Sequence, residues 1–220
     1  MARVRAVLFD LDGTLADSAP DLAGAANELR ARRGMAPLPF EQLRPLVGSG
    51  ARGMVGASLG VAPGHDDYDS LKAEFLDLYE ARLLVQTVVF PQVWPVLEAL
   101  QAHGLPWGIV TNKALRLAAP LVQGLALGHR SAVLIGGDTT PFAKPRPEPL
   151  LEAARRISVD PIDCVYVGDD PRDIQAGRAA GMATLAAAWG YLGAGESVDA
   201  WGADAIIDRP NQLLNWLELA

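Results

Sequence analysis

The sequence predicts an α/β protein: a doubly wound parallel sheet with an all-helical unit inserted after its first strand. Three observations carry that prediction. From Phe90 onward, short apolar runs alternate with helical patterns, the order expected of a parallel sheet with helices on its faces. Three of the apolar runs stop on polar clusters, Asp10-Leu11-Asp12, Thr111-Asn112-Lys113 and Gly168-Asp169-Asp170. Between the first run and Phe90, residues 17–85 carry helical patterns and no convincing strand. The expected division is a core of residues 1–16 and 86–220 with a helical cap of residues 17–85.

In chain order, five of the six residues from Val4 to Phe9 are apolar, which suits a strand buried on both faces. Ala16 to Pro20 reads as a hinge-like connection, with Ser18 as N-cap and Pro20 early in the next helix. Asp21 to Arg33 is patterned as a helix closed by Gly34. Pro37 and Pro39 break the chain, Glu41 to Val47 reads as a short helix, and Gly48-Ser49-Gly50 as a loop. Helices are expected over Ala51 to Leu59 and Asp67 to Leu84. Thereafter the pattern gives a helix Val93 to His103 before Gly104, a strand Pro106 to Val110 and a helix Ala114 to Gln123. A strand Ala132 to Ile135, a helix Pro147 to Ile157 and a strand Cys164 to Val167 follow. Helix Ile174 to Ala180, closed by Gly181, and strands Ala183 to Ala187 and Ala205 to Ile207 complete the list, with 194–204 as loop.

Composition narrows the function. Half of the 220 residues are apolar, a fifth are charged, and the formal net charge is -7. No basic patch stands out, so nucleic acid is not an expected partner. No apolar run approaches the roughly 18 residues of a membrane span, and Met1 to Phe9 is too short for a signal segment. The single cysteine, Cys164, allows no internal disulfide and fits a reducing compartment. A cytoplasmic protein, monomeric or homodimeric, is expected. Arginine occurs sixteen times but lysine only at 72, 113 and 144.

The strand ends are where chemistry belongs, because ligands of open α/β sheets bind beyond the carboxyl ends of the strands. In a parallel sheet the three polar clusters share one edge. Together with Lys144-Pro145-Arg146-Pro147 they gather Asp10, Asp12, Asp169, Asp170, Asp173, a hydroxyl, an amide and two lysines. Carboxylates so crowded raise one another's pKa unless a cation intervenes, and an all-oxygen set suits Mg²⁺ better than zinc. A divalent ion with lysine and threonine would hold a phosphate beside a carboxylate nucleophile. Asp10 is the candidate nucleophile and Asp12 the candidate general acid and base.

These clusters resemble, in order and on the expected elements, the four signatures of the haloacid dehalogenase superfamily phosphatases, close to the phosphoglycolate phosphatase group. Asp10-Leu-Asp12-Gly-Thr14-Leu is similar to the first, Thr111-Asn112-Lys113 to the second, Lys144-Pro-Arg-Pro147 to the third and Gly168-Asp169-Asp170-Pro-Arg-Asp173 to the fourth. The resemblance covers essentially the whole chain, and the inserted helices are similar to that family's first cap type. It implies that Asp10, the Asp12 backbone carbonyl and Asp169 hold Mg²⁺. Thr111, Asn112 and Lys144 would bind the transferring phosphate, Lys113 would adjoin it, and Asp173 would steady the metal site from behind. Asp170 stands where that family more often has serine. Ser49-Gly50-Ala51-Arg52-Gly53-Met54-Val55, Trp107 to Lys113, Val167 to Ile174 and Trp201-Gly202-Ala203-Asp204 are further similar to bacterial phosphatases acting on N-acetylmuramic acid 6-phosphate. The implied function is Mg²⁺-dependent hydrolysis of a small phosphate monoester, phosphoglycolate or N-acetylmuramic acid 6-phosphate. A sugar-phosphate mutase of the same fold and a non-catalytic phosphometabolite-binding module stand as alternatives.

Other features read blandly. Gly48-Ser-Gly50-Ala-Arg-Gly53 fits the dinucleotide fingerprint by letter, but Pro45 argues against the strand that should precede it. A flexible cap loop is expected, with Arg52 reaching the substrate. His65, His103 and His129 lack metal-ligand spacing, Cys164 reads as an inert core thiol, and the five tryptophans read as packing residues. Asp17 reads as a hinge residue and Asp138 as a turn residue.

Overall fold

The structure is a computed structural model and describes residues 4–193 and 195–219. Residues 1–3, 194 and 220, which the expected core boundaries, the short N-terminal run and the 194–204 loop include, lie outside the described residues.

The first strand, β1 (Ala6–Phe9), is buried along its whole length. It has this character because both faces of the sheet are covered. Val7 and Phe9 point into one apolar layer with Trp107, Ile109, Val165 and Leu185, while Ala6 and Leu8 point into another with Val110, Leu150, Ala153 and Tyr166. Alternate residues of each strand thus serve opposite cores. Phe9 and Trp107 meet edge to face, 6.4 Å between ring centres.

Among the described residues six strands form one parallel sheet: β1, β4 (Trp107–Val110), β5 (Leu134–Ile135), β6 (Cys164–Gly168), β7 (Ala183–Ala187) and β8 (Ala205–Ile207). Their order across the sheet is β5-β4-β1-β6-β7-β8, with Leu8 opposite both Gly108 and Tyr166. The chain builds outward from β1 on one side and then on the other, so the switch point of the sheet lies at β1. Helices α5 (Val93–Ala102), α6 (Leu115–Gly124), α7 (Glu148–Arg156) and α8 (Pro171–Ala179) make the crossovers. A short α9 (Gln212–Trp216) follows β8. The α/β fold read from the sequence is the fold found.

Between Asp17 and Val88 the chain forms α1 (Ala19–Ala31), α2 (Phe40–Leu43), α3 (Gly50–Leu59) and α4 (Tyr68–Glu80). Helix α1 ends on a Schellman pattern: Gly34 takes φ +66°, and the Met35 N–H reaches back to the Arg30 carbonyl at 3.1 Å. The expected short helix Glu41 to Val47 is instead one turn of α-helix that tightens into a 3₁₀ segment, Arg44–Ser49, at Pro45. The loop expected at Gly48-Ser49-Gly50 is not one. It belongs to this 3₁₀ segment and runs straight into α3, because burial of Val47, Met54 and Val55 in the cap core outweighs the glycines' low helix propensity.

The hinge-like connection is also more regular than expected. Ala16–Asp17 (β2) pairs antiparallel with Val88–Val89 (β3), so the two crossings between core and cap run side by side. Buried Asp21 on α1 secures the return crossing, accepting from the Gln86 N–H, the Thr87 N–H and the Thr87 hydroxyl at 2.8–2.9 Å.

Candidate active site

The site forms where β1, β4 and β6 end. The chain leaves β1 at Asp10, whose N–H still bonds the Val167 carbonyl at 2.9 Å. It then folds into a tight turn in which the N–H groups of Leu15 and Ala16 both bond the Leu11 carbonyl. Gly13 takes φ +86° and faces Asp169, so a side chain there would meet both backbone strain and the carboxylate. This close approach lets the Thr14 hydroxyl donate to Asp169 Oδ1 at 2.8 Å. The Tyr191 N–H holds Asp169 Oδ2 at 2.8 Å.

Asp10, Asp169 and Asp173 bring one carboxylate oxygen each within 4.8 Å of one another. Burial, and then the charges of Asp10 and Asp173, push the Asp169 carboxyl well above its usual range, against the donors from Tyr191 and Thr14. Burial raises Asp173 to about 7, Lys144 opposing and Asp10 reinforcing. Lys144 is the internal counter-ion, 5 % exposed, with Nζ 2.7 Å from Asp173 Oδ1 and 2.9 Å from Asp10 Oδ1. Its N–H groups also meet the Tyr166 hydroxyl at 2.8 Å and the Val110 carbonyl at 3.1 Å. With those directions taken, Asp10 Oδ1 is buried beside the ammonium yet has no aligned hydrogen-bond donor. Three converging carboxylates and one orphaned oxygen fit a divalent cation bound through oxygen. Asp173 joins this cluster directly, which the sequence reading had placed behind it, whereas the Asp12 carboxylate is not one of the three.

Asp12 faces the other way, toward the cap. Lys113 Nζ donates to both of its oxygens, at 2.9 and 2.8 Å, and the Ser18 hydroxyl donates to Oδ1 at 2.5 Å. Ser18 does stand at the N-cap position of α1, but its side chain makes no cap bond; Asp12 is its partner. Its N–H and that of Ala19 both bond the Tyr191 hydroxyl, at 2.8 and 3.0 Å. Lys113 Nζ is also 2.9 Å from the hydroxyl of Tyr79 on α4 and 4.6 Å from the centre of that ring. Burial works against the Lys113 ammonium, but Asp12 and Tyr79 raise its pKa above the usual lysine value. Lys113 is therefore the partner of Asp12.

Asn112 and Lys144 make contacts that the sequence alone does not show. The Asn112 amide meets the main chain of Lys144, donating to its carbonyl and accepting from its N–H, both at 2.9 Å, and Asn112 also lines the cavity of the site. Asn112 thus positions the lysine loop. Lys144 itself directs its ammonium to the buried acids and their neighbours, which makes it a charge partner of Asp10. Thr111 is 3 % exposed, its Oγ1 accepts from the Lys113 N–H at 3.1 Å, and the residue lines the cavity.

Asp170 caps α8 through the Arg172 N–H at 2.9 Å, while its own N–H bonds Asp173 Oδ2 at 3.1 Å. This capping pair starts the helix at Pro171, three residues before the expected Ile174. Asp170 also pairs with the Arg172 guanidinium at 2.7 Å through each oxygen. Burial alone would raise Asp170, but Arg172 holds it below the usual carboxylate range. The same guanidinium donates to the carbonyl of Gly48 in the cap, so the Asp170 side chain links α8 to the cap while its N–H holds Asp173.

Above these groups lies a cavity of about 460 Å³. Asp10, Asp12, Thr111, Lys113 and Asp169 form its floor, and the cap supplies the facing wall, including Arg52. Arg52 lies on α3, not on a loop. The sequence reading had missed Ser18, Tyr79, Tyr166, Arg172, Tyr191 and Lys72 as parts of this site. Of the bland readings, His65 and His103 are exposed, and Cys164 is buried with its thiol pushed up to about 11 by burial and by Asp163 and Asp160. Asp138 accepts the Leu115 N–H at 2.7 Å at the start of α6.

Comparison with known proteins places this arrangement. A family model described as haloacid dehalogenase-like hydrolase matches residues 4–181. The N-acetylmuramic acid 6-phosphate phosphatase of Pseudomonas aeruginosa is 40 % identical over 218 residues, 99 % of this chain and 96 % of that protein. A phosphoglycolate phosphatase of Xanthomonas campestris pv. campestris is 49 % identical over 212 residues, covering 95 % and 94 %. Among solved structures, a predicted phosphoglycolate phosphatase from Haemophilus somnus superposes with a TM-score of 0.86 at 26 % identity, covering 98 % of this chain and 99 % of that one.

Proposed function

The chain belongs to the haloacid dehalogenase-like hydrolases and is a phosphatase of that family; we propose that it cleaves a carboxylated phosphate monoester through an aspartyl-phosphate on Asp10. The observation that carries this reading is the state of Asp10: a carboxylate at the sheet's switch point, charge-paired with Lys144 and open to a cavity floored by Thr111 and Lys113. An Asp10 oxygen attacks phosphorus, the bond to the alcohol oxygen breaks, and that oxygen takes a proton from Asp12. Water then attacks the same phosphorus as it gives a proton to Asp12, the bond from phosphorus to the Asp10 oxygen breaks, and inorganic phosphate leaves. Ser18 and Lys113 aim Asp12 for both transfers, and Thr111 faces the phosphate oxygens.

Asp10, Asp169 and Asp173 would hold Mg²⁺, with the Asp12 carbonyl as a further ligand. Bound there, the ion would draw negative charge from the phosphate oxygens and neutralise the crowded acids. The two relatives are named for different substrates, phosphoglycolate and N-acetylmuramic acid 6-phosphate. Each of these carries a carboxylate besides its phosphate, and that shared chemistry supports the proposed substrate class.

Replacing Asp10 by Asn tests the mechanism. Turnover should fall by about 10⁴-fold or more, as when a nucleophile is removed, and acid-quenched wild-type enzyme should retain labelled phosphate that the variant lacks. Near-normal turnover in the variant would overturn Asp10 as nucleophile. Formation of an isomeric sugar phosphate in place of free phosphate would make the enzyme a mutase.

A further inference from the structure

Most exposed arginines of this chain have an acid beside them: Arg32 and Arg33 share Glu74, Arg116 meets Glu80, and Arg155 and Arg156 share Glu152. The two cations on the cap wall of the cavity differ. Arg52 on α3 and Lys72 on α4 are exposed and line the cavity. Among the described residues neither makes an ion pair or a side-chain hydrogen bond. The other two lysines are both paired with carboxylates of the floor, Lys113 with Asp12 and Lys144 with Asp10 and Asp173.

Their place on the cap matters. Tyr68, Lys72, Phe75, Leu76 and Tyr79 all line the cavity and recur at helical spacing, so they form one stripe of α4. Tyr79 marks the inner end, since its hydroxyl touches Lys113. Lys72 lies seven residues earlier, about 10 Å along the axis at 1.5 Å per residue. Helical side chains tilt toward the N-terminus, so its ammonium leans farther from the floor. The apolar surface of Phe75 and Leu76 separates the two ends.

We propose that Arg52 and Lys72 read the substrate's carboxylate, and that the substrate is a phosphate monoester of a sugar-sized carboxylic acid. This rests on the phosphatase reading above and narrows it. In phosphoglycolate one methylene separates phosphate from carboxylate, too short a span to leave phosphate on the floor and bring the acid to Lys72. A hexose ring bearing an acidic side arm spans that distance and lays carbon against Phe75 and Leu76. The cavity volume lies in the roughly 300–1,000 Å³ range of pockets that enclose drug-sized ligands.

The test compares kcat/KM on N-acetylmuramic acid 6-phosphate, on N-acetylglucosamine 6-phosphate (the same sugar without the acidic arm), on phosphoglycolate and on p-nitrophenyl phosphate. Wild-type enzyme should prefer the first. Arg52→Gln and Lys72→Gln should each lower that preference over N-acetylglucosamine 6-phosphate by roughly tenfold, mainly through KM, the size of a lost charge-assisted contact. A wild-type preference for phosphoglycolate would overturn the proposal, as would variants that lose equally on the acidic and the neutral sugar. Turnover of p-nitrophenyl phosphate separates the two levels of argument. If it persists while the acid preference is absent, only this inference falls; if no ester is cleaved, the phosphatase reading falls with it.

Discussion

The floor and the wall of the cavity are built on opposite principles. On the floor, Asp169, Asp173 and Lys144 are each at most 5 % exposed, and their charges sit within hydrogen-bond distance of partners. On the cap wall, Arg52 and Lys72 are exposed and line the cavity together with Phe75 and Leu76. Buried charges that answer one another stay in place before substrate arrives, which is what transferring one invariant group requires. Exposed charges without partners cost little to keep and can be satisfied by a ligand. Chemistry and selectivity are therefore separable here, and the contrast can be broken from either side.

The largest effect should come from removing the floor's own counter-ion. Lys144→Met keeps the length of the side chain but leaves Asp10 and Asp173 facing each other without the ammonium between them. Breaking a buried pair from one side costs about 3–5 kcal/mol, so urea unfolding should show a loss of that order in metal-free protein. Turnover should fall by about 10²-fold or more, since Asp10 loses the cation 2.9 Å from its Oδ1. A variant as stable as wild type would show that the floor is not held by this pair.

A gentler perturbation is pH. Asp173, raised to about 7 from an ordinary 3.8, binds its proton more tightly in the folded protein than in the unfolded chain. Its contribution favours the fold below the unfolded value and is lost as pH rises through the folded one. Asp169 is shifted in the same direction. The melting temperature of metal-free protein should thus fall between about pH 4.5 and 7.5, apart from contributions of groups elsewhere. Added Mg²⁺ should raise it more at about pH 8, above the value to which Asp173 is raised, than at about pH 5. An equal gain at both pH values would mean that the ion binds away from this cluster.

The same division explains what the sequence made legible. Acids that interrupt an apolar strand run, as at Asp10 and Asp169, announce a strand end with chemistry on it, because nothing in sheet packing calls for them. The helpers of the floor carry no such mark. Ser18 is a suitable N-cap residue and stands at an N-cap, yet its hydroxyl serves Asp12. Tyr166 is an ordinary strand former whose hydroxyl meets Lys144 only because β4 and β6 flank β1. Arg172 and Gly48 lie 124 positions apart, and only the docking of cap on core brings them together. On the wall, glycines at 48 and 50 suggested a loop where tertiary burial imposes helix. Local pattern shows a residue's preferences; it does not show what arrives from another element.

Tyr79 tests the boundary between the two regions, since it belongs to the cap helix but touches the floor. Its ring lies under Lys113 and its hydroxyl is 2.9 Å from the same ammonium, while burial, partly offset by Lys113, pushes the phenol up to about 12. Tyr79→Phe keeps the ring, and with it the cap packing and the cation–π contact, but removes one of the acceptors around Lys113. Asp12 and its two contacts to Lys113 remain. One lost hydrogen bond to a charged group is worth about 1.5–3 kcal/mol at most sites, less here because Asp12 still holds the ammonium. The expected loss in kcat is about three- to tenfold, with the ratio of rates on acidic and neutral sugar phosphates unchanged. Tyr79 would then act on proton transfer through Lys113 and Asp12, a floor residue carried by the cap. If the ratio moves and kcat does not, Tyr79 belongs to the wall with Lys72, and the line between chemistry and selectivity runs below it.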